Sequence, residues 1–312
     1  MRLRVALIGV GGVALFALAA LLWLRSADRQ GSGPRAMVNG GDAGGLPRVP
    51  PQQEHLEPSA LEAASRDAAA DGLQAMIVVR HDYVVYERYG HGFDADTVID
   101  SGAFAQSLLA LAAGIAAHDG KLAMPSLNGF DAARLRAAIE AGTGQGYPDY
   151  LSLRLWRRLN AAAAWIALPA AGAAAPADCC FHARLQDWLR VAMVLLNDGN
   201  FEGKAVVPPG WVERMRRPTS ADGKAGFGVE LAAAARGAEP FAADDLLFLR
   251  GPGRWRLWVI PSLRLALLFG SKSAASPWWD ETRLPNLVIR ALSERPMQRG
   301  VGSQLQQLVP GH

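Results

Sequence analysis

The sequence predicts an α+β fold behind an N-terminal membrane span, with one antiparallel sheet built from an early hairpin and a late run of strands. Three observations predict it. An apolar run, Val5 to Leu24, follows Arg2 and Arg4 and is closed by Arg25. Runs rich in Val, Ile, Leu and aromatic residues cluster before residue 91 and again after Gly226, with an alanine-rich helical pattern between them. "WWDETRLPNLVIRALSERP" then closes the domain as a terminal helix. Strands, then helices, then strands is an order that suits a sheet flanked by terminal helices.

The apolar run comes first. At about 1.5 Å per residue its length matches the roughly 30 Å hydrocarbon core of a bilayer. Ala17-Leu18-Ala19 offers a signal-peptide cleavage site, but "ALLWL" carries the run past it. Residues 1–25 are therefore read as an uncleaved signal anchor, with the lipid bilayer as partner through Val5–Leu24. The chain beyond is placed outside the cytoplasm, in a Gram-negative cell on the periplasmic face of the inner membrane. The alternative is secretion to the periplasm after cleavage. Residues 26–58, rich in Gly, Pro and polar residues, read as a flexible linker. Order is expected from Ser59, where "SALE" spells a capping box. The domain runs over 59–295, its helical part over about 103–217, and 296–312 form a polar tail.

Inside the domain, two strand-like runs flank His81-Asp82, which predicts a hairpin. Helical pattern follows from Ala103 to about Arg217. After Gly226, "FGVELAAAA", "DDLLFLRG", "RWRLWVIP" and "LRLALLFGS" predict successive antiparallel strands.

Composition narrows the function. Half of the 312 residues are hydrophobic, and the net charge is +3 with no basic block, which excludes a nucleic-acid partner. The two cysteines are adjacent, Cys179-Cys180, so neither a disulfide framework nor a spaced zinc site can be drawn from them. They are read as a vicinal disulfide or two buried thiols. No metal or cofactor is expected. His81, His91 and His118 lack ligand spacing and read as solvated. "GFDADT" reads as a loop in which Asp94 and Asp96 cap the next element. Trp278-Trp279 are expected to lock the terminal helix onto the sheet.

Five stretches together resemble the β-lactamase-related serine hydrolases, which include class C β-lactamases, penicillin-binding carboxypeptidases, related esterases and 6-aminohexanoate-dimer hydrolases. They are "MIVVRHDYVVYERYG", "DADTVIDSGAFAQSLLALAAGIAAHDGKL", "IEAGTGQGYPDYLSLRLWRRL", "CCFHARLQDWLRVAMVLLNDGNFEGKAVVPPGWVERM" and "LRGPGRWRLWVIPSLRLALLFGSK". The resemblance implies a β-lactamase/transpeptidase-like fold with a reduced helical insertion. It also implies where an acyl-transfer site would lie. The family's S-x-x-K falls on Ala103 and Gln106, its Y-x-N on Leu127-Asn128-Gly129, and Pro252 stands where a third-motif histidine is common. Arg254 stands where glycine is common.

Methyl and amide groups cannot replace a nucleophilic hydroxyl and a lysine base. None of the four lysines follows a serine at three residues' remove, and no G-x-S-x-G occurs. Tyr150-Leu151-Ser152 spells Y-x-S inside a helix and is read as coincidence. Ser101 and Ser107 are the candidates for a displaced nucleophile. Cys180 with His182 is a weaker pair for thiol chemistry. Phe104, Asn128, Cys180, His182 and Arg254 are expected to line the pocket. The resulting expectation is a catalytically inactive relative that binds a ligand or an envelope protein. The alternatives are a hydrolase with a displaced nucleophile and a structural subunit of an envelope complex.

Overall fold

A type I′ two-residue turn needs both central residues at positive φ, and His81 (φ 46°) and Asp82 (φ 70°) supply this between β2 (Leu73–Arg80) and β3 (Tyr83–Tyr89). That hairpin is one edge of the main sheet. The computed structural model describes residues 34–70, 72–125, 129–169, 179–272 and 279–293. The anchor segment, Leu127-Asn128, Trp278 and the tail beyond 293 lie outside these residues. Among the described residues no helix is long and apolar enough to cross a membrane.

The main sheet is completed by β9 (Glu230–Leu231), β10 (Leu247–Arg250), β11 (Arg256–Ile260) and β12 (Leu265–Ser271). Its order is β3-β2-β12-β11-β10-β9, antiparallel throughout, so the early hairpin joins the late strands through β2 against β12. Helix α1 (Pro58–Ala69) and α7 (Arg283–Arg290) cover one face. Met76, Val78, Trp258, Leu267 and Phe269 pack into that layer. Ala75, Ile77, Val79, Leu257, Val259 and Leu268 point the other way, into the larger core. Strands buried on both faces need no polar alternation, hence "MIVV", "LWVI" and "LALLF".

Helices α2 (Phe104–His118), α3 (Ala132–Thr143), α4 (Tyr147–Arg154), α5 (Leu185–Leu196) and α6 (Trp211–Met215) form the second side. α5 lies against β11 and β12, and α2 runs through the centre, touching α3, α4, α6 and β10. Small residues let neighbours close on α2. Trp211 lies on Gly114 and its indole Nε1 donates to the Ala110 carbonyl at 3.0 Å.

The helical region also holds a second sheet that the sequence did not announce. β1 (Arg35–Val38), β5 (Ala164–Ala167), β6 (Phe181–Arg184) and β4 (Val98–Asp100) pair in the order β1-β5-β6-β4, and β7 (Asn200–Phe201) pairs with β8 (Lys204–Ala205). Several expectations change accordingly. The stretch 34–58 is not a free linker. β1 is hydrogen-bonded to β5, Gly41 N–H donates to the Ala161 carbonyl (2.8 Å), and Glu57 N–H to that of Ala291 (2.8 Å). Nor does Ser59 cap α1. Glu57 is the N-cap and Pro58 occupies the first turn, where a missing N–H costs nothing. In "FGVELAAAA" only Glu230–Leu231 is strand, and a 3-10 turn over Ala232–Ala234 follows. Cys179 and Cys180 form a vicinal disulfide.

A buried carboxylate ties these parts together. Asp187 accepts from Arg184 Nε and Nη2 (2.9 and 3.1 Å), Arg190 Nη1 (3.1 Å) and Ala162 N–H (3.3 Å). Arg190 also donates to the Gly44 carbonyl, fixing the approach to the domain. Such an ion pair holds its geometry because removing either partner would strand a buried charge.

One close approach on α2 tests the central packing. A Cβ on Gly114 would sit 2.4 Å from Trp211 Nε1. Gly114→Ala is expected to cost about 1–3 kcal/mol through overpacking, despite alanine's higher helix propensity. Thermal unfolding would read this as a lowered midpoint. A raised midpoint would refute the contact.

Candidate functional site

The site is where α2 begins. β4 leads into Ser101 and Gly102, and Ser101 N–H donates to the Phe181 carbonyl of β6 at 2.9 Å. Gly102 N–H donates to Asp100 Oδ1 (3.1 Å), and its φ of +49° turns the chain into the helix. A Cβ on Gly102 would lie 2.7 Å from Pro252 Cδ, so the turn after β10 sits against the helix start. The sequence positions resembling the first and third motifs, Ala103 and Pro252, are thus neighbours in space. Ala103 is the N-cap residue and offers no side-chain cap. The first-turn N–H groups of Phe104, Ala105 and Gln106 instead close short turns onto Ser101, Gly102 and Ala103 carbonyls at 3.0–3.2 Å.

Beside this start lies a cavity of about 820 Å³. Ala103 and Gln106 form one wall; Arg250 from β10, Arg256 from β11 and Glu281 form the other; Lys224 and Arg236 border it from loops. Arg250 and Arg256 are direct cross-strand partners. Like charges placed opposite each other need a counter-charge, and Glu281 supplies it. Its Oε1 accepts from Arg250 Nε (3.0 Å) and Arg256 Nε (2.9 Å), and its Oε2 from Arg250 Nη2 (2.7 Å). Arg250 also donates to Glu230. Trp279 stacks on Phe269, with ring centroids 5.9 Å apart. The guanidiniums of Arg254 and Arg256 lie 5.4 and 5.0 Å from its ring, so the aromatic face is shared between two cations. A second cavity of about 640 Å³ adjoins across Gln106 and Glu230, bordered by Asp131, Thr219 and Ser220. Ser220 Oγ donates to Asp222 Oδ1 (2.7 Å) and accepts from Ala225 N–H (3.1 Å), which makes it a turn staple.

Of the residues expected here, Ala103 and Gln106 line the cavity, while Pro252 packs against Gly102 without lining it. The two substitute nucleophiles do not reach it. Ser101 and Ser107 are both 0 % exposed, and their hydroxyls donate to the carbonyls of Gly102 (3.2 Å) and Phe104 (2.8 Å). Phe104 is core, packed edge-on to Trp188. Arg254 is buried against Trp279, and the cavity wall is made by Arg250 and Arg256 in its place. Cys180 and His182 belong to the second sheet, where His182 stacks on Trp165 with centroids 5.1 Å apart. With its sulfur in the disulfide, Cys180 has no thiol to offer. Tyr150 is buried in α4, where burial pushes its phenol up to about 12. Leu127 and Asn128 lie outside the described residues. Asp94 caps its loop by accepting from Asp96 N–H (3.1 Å) and Thr97 Oγ1 (2.9 Å), while Asp96 takes Arg184 Nη1 (2.8 Å).

Sequence reasoning passed over Lys224, Glu230, Arg236, Arg250, Arg256 and Glu281. A signal was present. "RGPGRWR" puts Arg250 and Arg256 at equal distances from the turn, hence opposite each other in the β10–β11 hairpin, and a carboxylate had to follow somewhere.

No family model matches the chain, and no curated protein sequence does. Solved structures do. A protein from Bacillus anthracis described as a 6-aminohexanoate-dimer hydrolase is similar at 11% identity and a TM-score of 0.65, covering 83% of this chain and 89% of that one. A β-lactamase from Mycobacterium bovis shares 14% identity and a TM-score of 0.59, over 74% of this chain and 100% of its own. A penicillin-binding protein homologue from Caulobacter crescentus shares 11% and 0.58, over 80% and 100%.

The arginine–glutamate cluster has a pH signature. Burial works to raise the pKa of Glu281, but the hydrogen bonds and charges of Arg250 and Arg256 outweigh it and hold the carboxyl below the usual range. A carboxyl with a depressed folded-state pKa stabilises the fold fully above its unfolded value. That contribution is lost as pH falls through the folded value. Glu281→Gln is expected to cost about 3 kcal/mol at pH 7 and to flatten the stability loss below about pH 4. Urea unfolding at pH 7 and pH 3 measures both. An unchanged difference between the two pH values would contradict the assignment.

Proposed function

We propose that this chain, which has the fold of the β-lactamase-related serine hydrolases, is a membrane-anchored, extracytoplasmic binding protein and not an acyl-transfer enzyme. One observation carries the reading: at the start of α2, beside the Pro252 turn, the side chains facing the cavity are a methyl (Ala103) and an amide (Gln106). An acyl-enzyme route needs an activated nucleophile within hydrogen-bond reach of a base. Removing members of such a unit costs about 10⁴–10⁶ in rate. Burial of the Ser101 and Ser107 hydroxyls against their own backbone weighs against a displaced nucleophile. The cleft itself is present, walled by a fixed ion-pair cluster, and an open, charged cleft of that size can admit a ligand.

The full-length chain, incubated with fluorescent penicillin, a fluorophosphonate and p-nitrophenyl esters, is expected to show neither stoichiometric covalent labelling nor turnover. Labelling that disappears in Ser101→Ala or Ser107→Ala would overturn the reading in favour of a displaced nucleophile.

The anchor is tested separately. In carbonate-washed membranes the chain is expected to stay in the pellet at full length, held by Val5–Leu24. Recovery of a shortened, soluble form would establish cleavage instead.

A further inference from the structure

The cavity beside α2 is lined by four cations and two carboxylates. Lys224, Arg236, Arg250 and Arg256 stand against Glu230 and Glu281, a surplus of two positive charges (4 − 2). The carboxylates are spoken for, because Glu281 is shared by Arg250 and Arg256, and Glu230 is taken by Arg250. This internal cluster is close to neutral and rigid. The surplus resides on the two loop residues.

Arg236 is held by its backbone, whose N–H donates to Glu281 Oε2 at 3.2 Å, and among the described residues no carboxylate pairs with its guanidinium. Lys224 Nζ meets Asp222 Oδ2 at 3.2 Å, but Asp222 does not line the cavity and both side chains are more than half exposed. An exposed pair of that kind is worth about 0–1 kcal/mol, so a ligand anion can displace it. Two cations from two loops lining one cavity, one paired only at the surface and the other with no carboxylate on its guanidinium among the described residues, select negative charge. A guanidinium adds planar, bidentate donation suited to carboxylate or phosphate oxygens.

We propose that this cavity binds a small organic dianion, a phosphomonoester or a dicarboxylate, through Arg236 and Lys224, with the Arg250–Glu281–Arg256 cluster as its rigid floor. The inference rests on the binding-protein reading and names the ligand class of the same cleft. No bond is made or broken in it. The ligand's charge replaces water and Asp222 around the two loop cations.

Titration calorimetry of the full-length protein with sn-glycerol 3-phosphate, succinate and acetate tests it, the first two separating phosphate from dicarboxylate recognition. At least one dianion is expected to bind more tightly than acetate. Its affinity is expected to fall at least about tenfold in the double variant Lys224→Gln/Arg236→Gln, since each hydrogen bond to a charged group is worth about 1.5–3 kcal/mol. Both positions are exposed, so the fold tolerates the change. Arg157→Gln, an exposed cation on another surface, is expected to leave affinity unaltered. No preference for either dianion, or an affinity unchanged in the double variant, overturns the inference. Ester turnover by the parent protein would instead remove the binding-protein reading, and the two failures are read in separate assays.

Discussion

Helix α2 is apolar around almost its whole circumference, and a helix without a polar face cannot lie on a surface. It has to be enclosed. The main sheet supplies one side through β10, α3 and α4 supply others, and Trp211 of α6 closes the gap over Gly114. Alanines and one glycine along its length permit those approaches, as Gly228 against Ala110 also illustrates. Enclosure leaves the two ends of the helix to meet open space, and the cleft lies at its start. The cleft therefore exists because of how α2 is packed, whatever residue occupies position 103.

That separation makes the packing of α2 independent of the chemistry its first turn carries. The leucines that bury α2 and the Gly102–Pro252 contact that seats it against β10 are packing constraints, and they tolerate any small residue at 103. A reacting group there would be an addition to the packing and no part of it. The arginines and Glu281 on the opposite wall belong to the structural side of this division. They satisfy one another, anchor Trp279 by cation–π contact and tie the segment before α7 to the sheet.

Much of this architecture was legible in the sequence. The His81-Asp82 turn, the doubly buried strands and the terminal helix follow from local pattern, and the joining of the early hairpin to the late strands follows from the order of elements along the chain. The second sheet was not legible. β5 and β6 are four residues each, set in alanine-rich sequence without period, and β1 finds its partner in β5 more than a hundred residues on. Pairing at that distance leaves no local trace. The cavity was half legible. Ala103 and Gln106 could be placed because motifs are local, while Glu281 lies 25 residues beyond the arginine it neutralises. Phe104 and Arg254 were misplaced for the opposite reason, since adjacency in sequence to a site does not decide which way a side chain turns.

Strand β1 bears on where the domain sits. With Arg35 already paired in the second sheet, only residues 25–34 separate it from the proposed anchor that ends at Leu24. Ten residues reach at most roughly 36 Å when fully extended. On the proposed anchoring, that reach would set the greatest separation between β1 and the bilayer surface. In the proposed anchored arrangement a ligand would be met beside the membrane, and the anchor would confine the protein's own search to two dimensions.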